Sequence, residues 1–522
     1  MTGLEWGERR GLAGRIARVF FLLLAALPAF PVTAAEEQEP GLVFVQEAVA
    51  AGQVGSRVVM RHLDGTTAVL TEGFTAAADP CVSFDGQRVL FAGRLDDRSR
   101  WEIWEMAADG SGKARVASGP GDCREPVYLA MAAVDAPDFR DKVRWIAYAG
   151  SVPGAVDEQG REPLTALYAT NLTTLPGRGT VLWRTTYNLG GDLAPAVLAD
   201  GRVLHSAWQR QGYALMTISW AGEDLNPFYG SEDGSTSQLS ACELRGSRRV
   251  IFVEREGEAG ERSGSLAEVS LRRPLHSHRV LSRGEGRYRT PQEAADGGLL
   301  VAYARGKGTY GIYRFDERAG RPGQVVFDDP AWHDVDPQPL VPRPEPTDRI
   351  PMAEFASVLD LRGFKNAGQL QCMNVYDTDR EEVARIEPGQ VKAVRLVEGL
   401  PLSPVEVLGL REKGVSAAAP GVWPPPFVRT RSLGEAPVEP DGSFYVNVAG
   451  DVPFYVQTLD ARGQVLATMR SWTWVRNGDQ RGCIGCHENK ELAPENRATQ
   501  ALIKGEATWM LGPRSSGAAG SR

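Results

Sequence analysis

Cysteine and histidine are scarce, six of each in 522 residues. So few and so scattered thiols give no legible disulfide framework. No second Cys-x-x-Cys or comparable ligand pair is present, which argues against a standard structural zinc module. His276-Ser277-His278 places two rings close together, but without further ligands it reads as a surface turn. No uninterrupted apolar run approaches the ~20 residues a membrane-spanning helix needs. Positive charge is in deficit, 58 Lys and Arg against 66 Asp and Glu, for a net charge of −8. A net-acidic chain is a poor partner for nucleic acid or anionic membrane surfaces. No grouping of carboxylates, histidines and serines has catalytic spacing.

What the chain has in quantity is glycine (58) and proline (34), with 24% charged residues, which suits a turn-rich, mainly β protein. Its length calls for two or three domains. Residues 1–35 read as a cleaved secretory signal: Arg9, Arg10, Arg15 and Arg18, then the apolar run Val19 to Ala29, then Val32-Thr33-Ala34-Ala35. The run is too short and too proline-rich to serve as a membrane anchor. No cysteine lies near the cleavage site, the first being Cys81, so a lipidated N-terminus is not expected. The mature chain is expected in the periplasm with no transmembrane segment.

From residue 36 to 345 a repeat runs through the chain. Its marker is a short apolar segment entered through proline, then a turn, then a strand. The markers are Asp79-Pro80, Glu125-Pro126, Ala194-Pro195, the degenerate Ser240-Ala241, Thr290-Pro291 and Asp336-Pro337. They are spaced by 46, 69, 46, 50 and 46 residues. The longer step is assigned to the polar insertion Val152 to Pro163. Alternating strands such as Trp101 to Met106, Leu167 to Thr170, Ala214 to Ile218 and Gly311 to Phe315 follow the markers. Four short strands per repeat of about 45 residues predict propeller blades. One strand near 337–341 and three within 42–72 complete a composite sixth blade that closes the ring. The strings Ser83-Phe84-Asp85-Gly86 and Ile103-Trp104-Glu105-Met106 resemble the repeats of TolB-type propellers.

Residues 350–474 read as a β-sandwich-like domain, with strands at Val391 to Val397, Phe444 to Val448, Phe454 to Leu459 and Val465 to Met469. Ala417 to Pro426 is expected as a loop. Residues 475–522 form the remaining segment, with a short helix expected within Glu491 to Lys504. Cys81, Cys123, Cys242 and Cys372 follow no pairing rule; an exported protein could oxidise them, and buried free thiols are expected for most of them.

That last segment holds Cys483-Ile484-Gly485-Cys486-His487, the attachment pattern of c-type haem. Two intervening residues let the thiols reach two vinyl groups along one porphyrin edge, and the next histidine ligates the iron. The expectation is one covalent haem c on Cys483 and Cys486, with His487 as iron ligand. Met510 is the candidate sixth ligand, with Met469 and Met373 as rivals and ordinary apolar filling as the plain alternative. Forty-eight residues cannot enclose a haem, so the porphyrin is expected to shelter against the sandwich or the propeller. A thioredoxin-like dithiol and a zinc half-site are the competing readings.

Four strings carry a family resemblance: Leu370 to Tyr376, Pro440 to Val446, Leu459 to Gly463, and Met469 to Trp474 running into Cys483–His487. In them, and in its domain order, the chain resembles the hydrazine synthase alpha subunit family. The resemblance implies a haem-bearing middle domain. In that family a tyrosine shortly after the motif ligates the catalytic iron, the motif histidine turns to zinc, and a further domain carries a second c-type haem. Here no tyrosine follows Tyr455, Glu491 stands four residues beyond His487, and the chain runs 35 residues past its motif. Hydrazine synthesis is therefore not expected. The expected function is that of an exported mono-haem protein in electron transfer or small-molecule redox chemistry, with a redox partner protein. The alternative is a TolB-like propeller scaffold that binds a protein partner, with haem or zinc in a structural or sensory role.

Overall fold

The computed structural model describes residues 41–49, 55–130, 132–133, 142–161, 163–173, 179–230, 235–256, 262–346, 366–417, 422–488 and 492–512. The signal segment 1–35 and Glu491 lie outside them.

Proline has no N–H to give to a ladder, so a strand can hold it only at an edge or a bulge. The repeat uses both. Each marker lies inside its blade's innermost strand rather than ahead of it, and the residue before the proline position adopts positive φ. These residues are Asp79 (56°), Glu125 (56°), Ala194 (51°), Ser240 (50°), Thr290 (43°) and Asp336 (54°). At each one the pairing register slips, as between Ala78 and Cys81 or between Arg289 and Gln292. A bulge of this kind inserts one residue and turns the strand. Six such turns point six backbones at one axis.

Around that axis stand six four-stranded antiparallel sheets. Their innermost strands are Ala76–Val82, Cys123–Tyr128, Asp192–Val197, Thr236–Leu244, Arg287–Glu293 and Trp332–Pro339. The last pairs with Leu42–Ala48, followed by Ser56–Arg61 and Thr67–Val69, so both ends of the propeller share one blade. The closing strand begins five residues before the expected 337, because Pro337 sits in mid-strand like its counterparts. The long second step is a lengthened hairpin, Trp145–Val156 with Pro163–Asn171.

The sandwich has two four-stranded sheets. One runs Val428–Pro437, Ala393–Pro401, Phe454–Leu459, Val465–Thr468. The other runs Gln480–Gly485, Ala367–Asn374, Phe444–Ala449, Thr508–Met510. Between them lie Leu370, Val394, Leu396, Phe444, Val446, Val448, Phe454 and Met510. Two strands from beyond residue 475 thus belong to the sandwich, each pairing in parallel with its neighbour. The haem motif segment is part of this sheet, not an appendage after it. The helix Pro404–Glu412 was not expected, although Ser403-Pro404-Val405-Glu406 is a capping box with proline at the first turn. The short C-terminal helix is Gln500–Lys504.

A strap of aromatic residues joins the two bodies. Trp472 Nε1 donates to Glu158 Oε2 at 2.6 Å on the lengthened hairpin. Trp474 enters a buried cluster with Trp145 and Trp220 of the propeller. Arg476 donates to the Arg184 carbonyl at 2.7 Å and pairs with Asp451 at 3.0 Å. Among the described residues no helix is long and apolar enough to cross a membrane.

Candidate haem attachment site

Cys483 lies in the edge strand Gln480–Gly485, paired in register with Cys372. Side chains of cross-strand partners share a face, so Cys483 points the same way as the wholly buried Cys372. Cys483 and Cys486 are half-buried at the rim of the sandwich core, where Tyr376 and Ile386 also pack. Arg481 anchors the strand, donating to the Leu225 carbonyl of the propeller at 3.0 Å.

Burial pushes all three thiols up: Cys486 to about 12, Cys483 above its ordinary value, and Cys372 well above it. They are neutral at physiological pH. A redox dithiol or a nucleophilic cysteine is favoured by the opposite shift, toward thiolate. Among the described residues no group of three or more Cys, His, Asp or Glu is arranged to hold a metal ion. All six cysteines are free.

His487 has positive φ (67°), which turns its ring away from the strand toward the loop Tyr376 to Arg380. Its Nδ1 lies 2.7 Å from Asp379 Oδ1, and its Nε2 lies 2.6 Å from Arg380 Nη2. A guanidinium can only donate. Nε2 therefore accepts, and Nδ1 carries the proton that it donates to Asp379. The backbone fixes the pair as well, since Asp379 N–H donates to the His487 carbonyl at 2.9 Å. This tautomer, with Nδ1–H held by a carboxylate and an Nε2 lone pair on offer, is the one a metal-ligating histidine uses. The ring is 45% exposed, which leaves a face for a large ligand to cover.

The close approach of the loop explains a glycine inside the motif. A Cβ on Gly485 would stand 2.1 Å from the Asp377 carbonyl oxygen, whereas one on Gly482 would meet only the Gln371 side chain at 3.4 Å. These residues fit a haem on two counts: an apolar rim beside the two cysteines, and an imidazole in the ligating tautomer.

Met510 does not join them. It is fully buried in the far edge strand and pairs with Val448, three strands and four residue positions from Cys483. By ladder spacing that is roughly 20 Å. Met469 packs elsewhere, with Tyr455 and Trp472. Met373 stands beside the motif strand, in register between Cys372 and Asn374. His278, of the pair read as a surface turn, pairs with Glu254 at 3.1 Å and stacks on Tyr229. Asp379 and Arg380 lie more than 100 residues from the motif, and nothing in their local sequence marks them.

Residues 389–488 match the family described as hydrazine synthase alpha subunit middle domain, and the matched stretch includes the whole motif. Hydrazine synthase subunit alpha of Kuenenia stuttgartiensis is 27% identical over an alignment 513 residues long that covers 83% of this chain. The chain is a relative of the hydrazine synthase alpha subunit. It spans 62% of that relative's length. The solved Kuenenia stuttgartiensis hydrazine synthase superposes with a TM-score of 0.73 at 24% identity, covering 89% of this chain and 71% of that one. That likeness extends to the fold, propeller and sandwich together. TolB from Acinetobacter baumannii covers 57% of this chain and 66% of its own at 12% identity and a TM-score of 0.39, too slight to carry an argument.

Proposed function

We propose that this chain is an exported mono-haem c-type protein, with its porphyrin bound through Cys483 and Cys486 and its iron held by His487. It would act in electron transfer or small-molecule redox chemistry with a redox partner protein in the periplasm. The observation that carries this reading is the His487–Asp379 pair, set beside two half-buried cysteines. Bound haem would supply a one-electron couple. The chain's own residues do the rest. Asp379 holds the Nδ1 proton and orients the ring. Arg380 covers Nε2 and gives up that contact where iron takes its place. Tyr376 and Ile386 give the rim an apolar surface that keeps water from the thiols' side.

Hydrazine synthesis is not extended to this chain. The resemblance would require a tyrosine shortly after the motif as iron ligand, and residues 488–504 hold none. The test is an absorption spectrum of protein made with a cytochrome-maturation system. His487→Ala should remove the histidine-ligated spectrum while both thioethers persist. An unchanged spectrum in that variant would overturn the ligand assignment.

A further inference from the structure

The six positive-φ bulges surround a cavity of about 510 Å³ on the propeller axis. Its wall combines five prolines with a ring of charges. Three guanidinium groups each have a carboxylate of their own. Arg124 forks onto Asp79 at 2.5 and 3.1 Å, Arg289 forks onto Glu47 at 2.8 and 3.2 Å, and Arg262 pairs with Glu125. Asp79 and Glu125 also accept backbone N–H groups from the next blade, those of Glu125 and Ala194. Every carboxylate in this ring has a partner but one.

The exception is Asp336. Its backbone N–H donates to Thr290 Oγ1 at 3.0 Å, but no ion pair or hydrogen bond reaches its carboxyl among the described residues. With Glu243, Glu293, Arg245 and Arg343 toward the other end, six acids thus face five bases along the cavity wall. Burial, with Asp79 and Glu47 nearby, pushes Asp336 up to about 7, although Arg289 and Arg124 pull the other way. One end of the cavity is strapped. Arg343 donates to the Val82 carbonyl at 2.7 Å and lies over the Phe84 ring, and Arg245 donates to the Pro344 carbonyl. At the other end Glu47 and Arg262 are partly exposed.

We propose that this cavity binds a small organic cation carrying N–H donors, an alkylammonium or alkylguanidinium, with Asp336 as its counter-ion. Such a ligand supplies the missing positive charge and the missing donors together, and the proline collar accepts its short apolar body. A charge match in a partly desolvated site is worth far more than one in water. Cations without N–H groups satisfy only half of the requirement.

The experiment is calorimetric titration of the full chain at pH 8 with propylammonium, methylguanidinium and tetramethylammonium. The first two should bind and the third should not. Asp336→Asn keeps the shape, removes the unmatched charge, and should weaken binding about ten-fold or more, the equivalent of at least ~1.4 kcal/mol. Three results would overturn the proposal: no binding of either N–H cation by the unsubstituted chain, equal binding of tetramethylammonium, or equal affinity in the variant. None of these depends on whether haem is attached.

Discussion

Trp472 of the sandwich donates its indole N–H to Glu158 of the propeller at 2.6 Å, with both side chains buried. The contact joins residues 314 positions apart and lies just ahead of the strand that carries the haem motif. Burial pushes the Glu158 carboxyl up to about 7, the Trp472 hydrogen bond offsetting part of the shift. An acid with a raised folded pKa binds more protons folded than unfolded, so its stabilising contribution is full below the unfolded value. That contribution is lost as pH rises through about 7. Glu158→Gln keeps an acceptor for Trp472 and should flatten the stability profile between about pH 4.5 and 7. The difference from the parent should reach about 3 kcal/mol. Denaturation midpoints of both proteins across that range check it, and parallel profiles would contradict it.

Two glycines in one motif should answer differently to the same change. Gly485→Ala drives a methyl into the Asp377 carbonyl, so the loop bearing Asp379 must move. A loss of about 1–3 kcal/mol is expected, together with reduced haem incorporation. Gly482→Ala meets only a flexible glutamine side chain and should be tolerated. Unfolding midpoints and haem content per chain separate the two.

Asp379→Asn should leave haem attached and raise its reduction potential. A carboxylate that accepts the Nδ1 proton makes the imidazole a stronger donor and favours ferric iron; an amide does so less. Potentiometric titration reads the shift. An unchanged potential would mean that the His487–Asp379 contact does not persist in the haem-bearing protein.

Met510 should behave as a core residue. Met510→Leu is expected to leave the haem spectrum unchanged, and Met510→Ala to cost about 2–5 kcal/mol of stability. A spectral change in the leucine variant, with stability retained, would restore the methionine as a ligand.

Periodic features were the legible ones. Proline spacing revealed six blades and the shared closing blade, because each bulge repeats one local geometry. The Cys483–His487 spacing revealed the candidate attachment point, because that chemistry is confined to five residues. What stayed hidden depends on contacts distant in sequence. The edge strand Gln480–Gly485 gains its place only by pairing with Ala367–Asn374, and its glycines gave no strand signal. Asp379 meets His487 across 108 positions. Met510 looked like a ligand because its distance along the chain allowed it, and its burial between the sheets could not be read from sequence. The helix Pro404–Glu412 was legible in its capping box and was missed.

Covalent haem on the two cysteines is the central claim, and intact-peptide mass spectrometry tests it most directly. Protein made with a cytochrome-maturation system should yield a peptide containing Cys483 and Cys486 that is heavier by one haem, with neither thiol alkylatable. The same peptide at its unmodified mass, with both thiols alkylated under denaturing conditions, would contradict it.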